Sequence, residues 1–283
     1  MTLNTIFRAG LFAGQTAIVS GGGTGIGRAI ARELAALGAT VVICSRSLEH
    51  LEPTRAAIAE AGGRVEALPC NIRDPEAVEG LWRDVAARHG RIHGLVNNGG
   101  GQFMSPAEAI TPKGWHAVVE SNLTGTFYMT QAAFKHGMRA HGGAIVNIVM
   151  ENWRGYPGMA HSGAARAGVV NLTQSLALEW APYGIRINAV APGTINSSGL
   201  AHYPPEVQAG IAGIARETPA GRMGSESEIA SAVLFLLSPA AAYISGATLR
   251  VDGASSLYRL PGHIIPEHSP WPEFTTFPPD TEP

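Results

Sequence analysis

Apolar, β-branched runs alternate along the chain with longer stretches that have helical spacing. The short runs are almost continuously apolar, which is typical of strands covered on both faces of a sheet. They lie at residues 16–20, 40–45, 64–70, 93–98, 143–149, 185–190 and 248–251. Helical spacing occurs roughly at residues 25–37, 48–61, 75–89, 112–140, 158–182 and 225–237. This alternation predicts an α/β fold, a doubly wound parallel sheet with right-handed crossovers.

The domain organisation follows from where the alternation stops. No repeat or linker interrupts residues 10–255, so residues 1–257 are predicted to form one Rossmann-like domain. Residues 258–283 form a proline-rich extension that cannot be a helix or an inner strand. This tail either lies loose or wraps a neighbouring surface, and its aromatic residues favour wrapping. Those residues are Trp271, Phe274 and Phe277.

Composition excludes several classes of protein. The 283 residues are 45% hydrophobic with a formal net charge of −2, which argues against disorder and against nucleic-acid or anionic-membrane binding. Two cysteines, Cys44 and Cys70, make neither a disulfide framework nor a zinc site, and no metal is expected. No apolar run approaches the roughly 18 residues of a membrane helix. Neither a secretory signal nor a peroxisomal tripeptide is present, so we expect a cytoplasmic protein.

A glycine-rich turn, VSGGGTGIG at residues 19–27, directly follows the first predicted strand and opens a helix. Glycines let the backbone approach a pyrophosphate, and the helix N-terminus supplies N–H donors and partial positive charge. The strand before the turn and the helix after it indicate a dinucleotide site rather than an ordinary turn. The predicted cofactor contacts are Gly21, Gly23, Thr24, Gly25, Ile26 and Gly27.

The end of the second predicted strand indicates which dinucleotide binds. NAD enzymes place an acidic residue about 20 positions beyond the glycines, where it holds the ribose 2′-hydroxyl. This chain has Ser45 and Arg46 there and no acid. A guanidinium pairs with the 2′-phosphate that a carboxylate would repel, so the sequence predicts NADPH. An ordinary surface arginine at the start of a helix is the alternative.

Other predicted contacts follow the later strands, because ligands sit at the carboxyl ends of parallel strands. The Asn71 side-chain oxygen is predicted to accept from the adenine amino group, beside Ile72. Residues 98–100 would form a backbone shelf at the adenosine ribose, and the loop after the sixth strand would hold the nicotinamide amide. The residues concerned are Asn71, Ile72, Asn98, Gly99, Gly100, Pro192, Gly193, Ile195 and Ser197.

Together these motifs resemble the short-chain dehydrogenase/reductase family over residues 14–253. The resemblance rests on SGGGTGIG, NNGG at 97–100, Asn122, PG at 192–193 and VDG at 251–253. It implies a nicotinamide-dependent enzyme acting on carbon–oxygen or carbon–carbon bonds, and a homotetramer.

The chain departs from the family pattern at the residues that do the chemistry. The family uses a serine, a tyrosine and a lysine, the last two four residues apart. Aligning GVVNLT at 168–173 puts Ser162 at the tyrosine position, Arg166 at the lysine position and Val149 at the serine position. A serine is a much weaker acid than a tyrosine beside a cation, so plain ketone reduction is disfavoured.

Reduction of a conjugated C=C bond fits these residues better. Hydride addition to the β-carbon of an enoyl thioester leaves negative charge on the thioester oxygen, which positioned donors stabilise while water protonates the α-carbon. The predicted donors are Ser162, His161 and Tyr156. Arg166 would keep positive charge over the nicotinamide ribose, since guanidinium does not deprotonate. Asn122 is predicted to kink its helix and hold a water.

Two subgroups of the family lack the tyrosine. NNGGGQFMSPAEAITPKGWHAV at 97–118, NLTGTFYM at 122–129 and HSGAARAGVVNLTQSLALEWAPYGIRIN at 161–188 resemble the peroxisomal type of trans-2-enoyl-CoA reductase. The 2,4-dienoyl-CoA reductases keep a lysine where Arg166 stands, and usually a tyrosine where Glu151 stands. The prediction is therefore an NADPH-dependent trans-2-enoyl-CoA reductase. A dienoyl-CoA or other short-chain reductase and a catalytically silent NADPH-binding protein remain alternatives.

Residues 199–216 are predicted to be a mobile loop over the substrate.

Overall fold

A computed structural model describes residues 5–202, 205–257 and 268–277 of the chain. The principal sheet contains β1 Thr16–Ser20, β2 Thr40–Ser45, β3 Arg64–Pro69, β4 Gly94–Asn97, β5 Gly143–Ile148, β6 Ile185–Pro192 and β9 Thr248–Val251. A two-stranded ribbon pairs β7 Ile195–Asn196 with β8 Gly224–Ser225. The helices are α1 Gly25–Ala36, α2 Glu52–Glu60, α3 Pro75–His89, α4 Pro112–Val119, α5 Gly125–Ala133, α6 Ala160–Glu179, α7 Pro205–Glu217 and α8 Glu226–Leu237.

The seven strands of the principal sheet are parallel and lie in the order β3-β2-β1-β4-β5-β6-β9. The order reverses between β1 and β4, which is where doubly wound sheets open a crevice for ligands. The predicted fold class is confirmed.

The apolar runs of the strands are explained by helices on both faces of the sheet. Alternate residues of a strand point to opposite faces. Accordingly Val19 and Ile43 belong to one buried cluster, while Ile18 and Val42 belong to the other. Both cysteines are buried as free thiols in the second cluster. The sheet is therefore the shared wall of two hydrophobic layers.

Two helix starts show the local chemistry that the sequence specifies. Asp74 precedes α3, and its side chain accepts hydrogen bonds from the backbone of Glu76 and Ala77. Ser225 and Glu228 form a reciprocal capping box at the start of α8. Each cap satisfies backbone N–H groups that have no partner within the helix.

The long helical stretch predicted at 112–140 is not one regular α-helix. A π-helical turn, Glu120–Thr124, separates α4 from α5, and a second, Phe134–Met138, follows α5. Each π turn widens the helix locally and redirects the side chains within it. Asn122 lies in the first π turn, so the predicted irregularity falls at this residue.

The prediction of a loop at 199–216 is wrong. Residues Ser198–His202 form a short 3₁₀ helix, and Pro205–Glu217 form α7. Proline is favourable at the first position of a helix, and the alanines that follow have high helix propensity. The prediction rested on the position of the segment after the proposed cofactor-binding turn and not on these preferences.

The described part of the proline-rich tail lies on the surface of its own chain. The Trp271 N–H donates to the Ala220 carbonyl at 2.9 Å, and the guanidinium of Arg32 stacks 4.2 Å from the Phe277 ring centre. Tail residues 258–267 and 278–283 lie outside the described residues. Within residues 268–277, wrapping is therefore observed, although Trp271 remains 54% exposed.

None of the described helices is both long and apolar enough to cross a membrane. No cluster of potential metal ligands occurs among the described residues either.

An acidic side chain is buried beneath the tail. Glu33 on α1 is 1% exposed, and Thr276 of the tail is 3% exposed. Burial raises the pKa of Glu33 to about 7, with partial opposition from the Thr276 hydroxyl. A carboxyl group with a raised pKa keeps its proton in the folded protein over a range where the unfolded chain has lost it.

We therefore expect stability to fall as pH rises from about 4.5, the ordinary value for Glu33, to about 7. Above that range the cost reaches a plateau of roughly 3 kcal/mol. In the variant Glu33→Gln, the free energy of unfolding should no longer fall over this pH range. The variant should therefore be more favourable, compared with wild type, at pH 8 than at pH 5. Urea unfolding at several pH values measures both. The exposed Glu60→Gln is the matched control, and an unchanged slope in Glu33→Gln would refute the assignment.

Candidate active site

A cavity of about 470 Å³ opens where β1, β2, β3 and β4 end. It is bounded by backbone from the glycine turn, by the ends of β2 and β3, by the loop after β4 and by α4. The predicted contacts that line it are Gly21, Gly23, Thr24, Ser45, Arg46, Asn71, Ile72, Gly99 and Gly100. Residues from four separate parts of the chain therefore meet at the crevice that the strand order creates.

Several predicted residues do not line this cavity. They are Gly25, Ile26, Gly27, Asn98, Asn122, Tyr156, His161, Ser162, Arg166, Pro192, Gly193, Ile195 and Ser197. Ile195 borders a second cavity instead. Their contacts show which are close to the crevice and which serve to hold its walls.

Hydrogen bonds, rather than side-chain packing, hold the glycine turn against the loop after β4. The Asn98 amide donates to the Gly21 carbonyl at 3.0 Å, and the Ser20 hydroxyl accepts from the N–H of Gly99 at 3.0 Å. A Cβ on Gly27 would lie 2.5 Å from the Asn98 amide nitrogen, so this position must stay bare. These contacts fix the turn against the loop after β4, and the bare backbone fits a pyrophosphate.

The end of β2 places a cation at the crevice. Arg46 lines the cavity, and Ser45 uses its hydroxyl to donate to the Ser47 carbonyl at 2.8 Å. A second arginine that sequence reasoning missed, Arg73, lines the same cavity. Two guanidinium groups without an acid at the β2 position give the crevice the charge expected for a phosphate-bearing ligand.

Asn71 lines the cavity, and its contact with the adenine remains a prediction. Its side-chain oxygen accepts from the backbone N–H of Arg73 at 3.3 Å and from the Arg73 guanidinium at 3.4 Å. That oxygen is therefore already engaged and orients Arg73. Ile72 packs instead beneath the shelf, 3.1 Å from where a Cβ on Gly99 would lie.

Asn122 is fully buried and ties the π turn to the loop after β4. Its amide nitrogen donates to the Gly101 carbonyl at 2.6 Å and to the Val118 carbonyl at 2.8 Å. Its side-chain oxygen has no hydrogen-bond partner within the described residues. A buried oxygen without a partner is costly, so it marks a place where a donor from a ligand or a water fits.

Arg166 points into the protein from α6. It is 8% exposed, and its guanidinium donates to the Ile148 carbonyl at the end of β5 at 2.5 Å. A Cβ on Gly100 would contact the Asn122 oxygen and would lie 2.6 Å from Arg166 Nη2, so these two side chains meet at Gly100. Burial lowers the pKa of Arg166 to about 10, which leaves it cationic at neutral pH. The crevice thus has a fixed positive charge beside its backbone shelf.

Ser162 is also fully buried, and its hydroxyl donates to the side-chain oxygen of Gln102 at 2.8 Å. The sulfur of Met150 lies 3.5 Å from the same hydroxyl. Gln102 lines the cavity and was not predicted, although a polar residue directly after the NNGGG run was the available signal. The tyrosine position of this chain is therefore occupied by a serine–glutamine pair.

His161 and Tyr156 are placed differently from the other predicted donors. His161 is fully buried, and its ring meets Phe103 edge to face with centres 4.4 Å apart. Neither of its ring nitrogens has a hydrogen-bond partner among the described residues. Tyr156 is 36% exposed and lies beside Gly163 in the first turn of α6. His161 thus supports Phe103, which itself lines the cavity.

The loop after β6 returns to the glycine turn. A Cβ on Gly25 would lie 3.7 Å from the Ser198 hydroxyl and 4.0 Å from the Cβ of Ser197. Pro192 ends β6, and the N–H of Gly193 donates to the Val251 carbonyl at 3.0 Å. This brings residues 193–198 close to the start of α1, as expected for a loop that spans the far end of a dinucleotide.

The fold and site together define a nicotinamide-dependent oxidoreductase: a doubly wound sheet, a bare glycine turn and a buried cation at the carboxyl edge. The family model described as enoyl-(acyl carrier protein) reductase matches residues 21–255. The chain belongs to this branch of the short-chain dehydrogenase/reductase family.

Relatives of known name or structure are similar over most of the chain. A probable 2,4-dienoyl-CoA reductase [(2E)-enoyl-CoA-producing] of Bacillus subtilis is 39% identical over 250 residues, 87% of this chain and 98% of that protein. A citronellol catabolism dehydrogenase of Pseudomonas aeruginosa is 49% identical, with a TM-score of 0.81 over 90% of this chain and all of that one. An actinorhodin polyketide ketoreductase solved with NADPH is 32% identical, with a TM-score of 0.82 over 89% of this chain and all of that one.

The contact of Asn122 and Arg166 at Gly100 yields a direct prediction. Gly100→Ala should displace one of these side chains, because the new Cβ has no room, and overpacking of this kind costs about 1–3 kcal/mol. We expect cofactor affinity to fall about tenfold or more. Gly80→Ala on α3 is the matched control, because a Cβ there meets nothing within 4 Å and Gly80 does not line the cavity. Fluorescence titration with NADPH measures the difference, and equal affinities in the two variants would contradict the prediction.

Proposed function

We propose that this protein reduces the C=C bond of trans-2-enoyl thioesters with NADPH, and that the thioester is a coenzyme A ester. The observation that carries the proposal is that Ser162 and the buried cation Arg166 stand where ketone reductases of the family have tyrosine and lysine, and that the Ser162 hydroxyl is paired with Gln102. Donors are present for a thioester oxygen, while a phenolic acid for an alkoxide is missing at this position.

NADPH is proposed over NADH because Arg46 stands at the end of β2 where NAD enzymes have an acid. Arg73 adds a second guanidinium to the same cavity. The solved relative that holds NADPH supports this choice by analogy. When bound, NADPH supplies the hydride.

The residues of the chain would stabilise the charge that hydride addition creates. Ser162 has one hydroxyl proton, which it now donates to Gln102 and could redirect to the oxygen of a bound thioester. Arg166 stays protonated at neutral pH and contributes a fixed positive charge, but it cannot deliver a proton. The α-carbon would then be protonated by water, with the unpartnered oxygen of Asn122 as a place to hold one.

Reduction of 2,4-dienoyl-CoA is the second candidate, and the name of the Bacillus subtilis relative favours it. Against it, the family resemblance implies a lysine and a tyrosine in dienoyl reductases at the positions where this chain has Arg166 and Glu151. The Glu151 carboxylate is also engaged, since it accepts from the Ser255 hydroxyl at 2.8 Å. A catalytically silent NADPH-binding protein is the third alternative.

The reaction is tested by following NADPH absorbance at 340 nm with matched enoyl-CoA and 2,4-dienoyl-CoA substrates. We expect turnover of the enoyl ester to exceed that of the dienoyl ester. Ser162→Ala should lower kcat by roughly 10- to 100-fold, because it removes one oxyanion donor. Ser175→Ala on the exposed side of the same helix is the control. Faster dienoyl turnover would favour the second candidate, and NADPH binding without any turnover would favour the third.

Cofactor preference is a separate prediction. Replacing Arg46 by Ala should reduce kcat/KM for NADPH by about 10- to 100-fold while leaving that for NADH nearly unchanged, because only NADPH has the 2′-phosphate. Arg83→Ala, at an exposed position on α3, provides a comparison with the same loss of charge. If Arg46→Ala lowered both values equally, Arg46 would have a structural role only.

We also propose a homotetramer, as the family resemblance implies. In support, apolar side chains are exposed near the free edge of the sheet: Leu178 is 81% exposed, Tyr243 is 105% exposed, and Leu249 of the edge strand β9 is 38% exposed. Exposed edge strands and apolar patches are commonly covered by another chain. Sedimentation equilibrium that returned the monomer mass would refute this.

A further inference from the structure

The described part of the tail, residues 268–277, forms what we name the C-terminal strap. It crosses the segment between α7 and α8 and ends against α1. The Ser225 hydroxyl donates to the Phe274 carbonyl at 2.7 Å, and the Thr276 N–H donates to the Ser227 hydroxyl at 3.1 Å. Backbone groups of the strap therefore have specific partners, which a segment lying loosely on a surface would lack.

Arg222 makes two further bonds between the strap and the fold. Its guanidinium donates to the carbonyls of Trp271 and Pro272, each at 2.7 Å, and to that of Met223 at 2.9 Å. The same group makes two bonds to the Glu228 carboxylate, at 2.6 and 3.0 Å. The planar fork of arginine makes this arrangement possible, and a lysine could not reproduce it.

The partners of Arg222 lead directly to the ribbon of β7 and β8. The Glu228 carboxylate accepts from the Ser225 N–H at 2.8 Å, and Ser225 belongs to β8. The N–H of the preceding Gly224 donates to the Thr194 carbonyl at 2.9 Å, and β8 pairs with Ile195 and Asn196 of β7. A chain of hydrogen bonds thus runs from the strap to the loop after β6.

This ribbon needs support from outside. Each of its strands has two residues, which is too short for independent stability. The Ile195 side chain is buried in the first hydrophobic cluster, but Asn196 is exposed. A cavity of about 400 Å³ lies beside the ribbon, bounded by Ile195, Arg222, Asp252 and Trp271 among others. On the side of this cavity, the contacts that hold the ribbon come from Arg222, Glu228 and the strap.

We propose that Arg222 is a positioning residue for the nicotinamide half of the cofactor. Through Glu228, β8 and the strap, it holds the loop at Ile195–Ser197 in the geometry that binds the nicotinamide. This inference rests on the proposed function, since it requires that NADPH is the cofactor and that this loop contacts its nicotinamide. Arg222 itself lines the cavity behind the loop and not the crevice in front of the glycine turn.

The test compares two ligands that share the adenine half. NADPH engages both ends of the site, whereas adenosine 2′,5′-bisphosphate occupies only the adenine end. In Arg222→Met we expect NADPH affinity to fall about tenfold, while affinity for the bisphosphate changes by less than about twofold. Hydrogen exchange should accelerate at residues 194–197 and 271–276. Arg55→Met, which breaks the exposed pair of Arg55 with Glu52 on α2, should change neither.

An equal loss of affinity for both ligands would show general destabilisation and would overturn the proposal, as would unchanged NADPH affinity with faster exchange in the strap. If Arg222→Met does not fold, Arg222→Lys tests the same point, because it keeps the charge and loses the fork. Failure of the proposed reaction gives a different result, because wild-type protein would then bind both ligands and reduce no thioester. The affinities of wild type and Arg222→Met for the two ligands could still be compared.

Discussion

The candidate site depends on one buried guanidinium. Arg166 is removed from water, held by the Ile148 carbonyl at the end of β5 and placed beside the Asn122 side chain at Gly100. Burying a charge is costly unless it is hydrogen-bonded, so the neighbouring structure must be fixed accurately. The π turn that carries Asn122 and the bare backbone of Gly100 are the two features that make room for it.

The same requirement explains the construction of the loop after β4. This loop supplies the shelf under the proposed cofactor, the support for the glycine turn through Asn98, and the partner of Ser162 through Gln102. A single short segment thus links the dinucleotide cradle to the residues proposed to stabilise a thioester anion. A change there would affect binding and chemistry together, since both share one backbone.

The far end of the site is built on a different principle. Ile195 anchors this loop in the first hydrophobic cluster, and a chain of polar contacts through Arg222 and the C-terminal strap holds the rest of the ribbon. The strap also covers Glu33, whose raised pKa makes its burial sensitive to pH near neutrality. Segments supported by few apolar contacts are those that open at low free-energy cost. The proposed adenine end of the site thus rests on backbone hydrogen bonds to the loop after β4, whereas the proposed nicotinamide end relies on contacts that reach it from the tail.

Local patterns in the sequence were sufficient to predict the strands of the sheet, most of its helices, the glycine turn and the place of Arg46 at the end of β2. Each of these features depends on residues that are adjacent in the chain. Ser162 and Arg166 were predicted from the family resemblance, by aligning GVVNLT at 168–173. The partnership of Ser162 with Gln102, the diversion of Asn71 to Arg73, the packing of His161 under Phe103 and the junction at Arg222 were decided only by the tertiary structure. Apart from that of Asn71 with Arg73, these contacts join residues that are distant in the sequence, so their distance and orientation are set by packing.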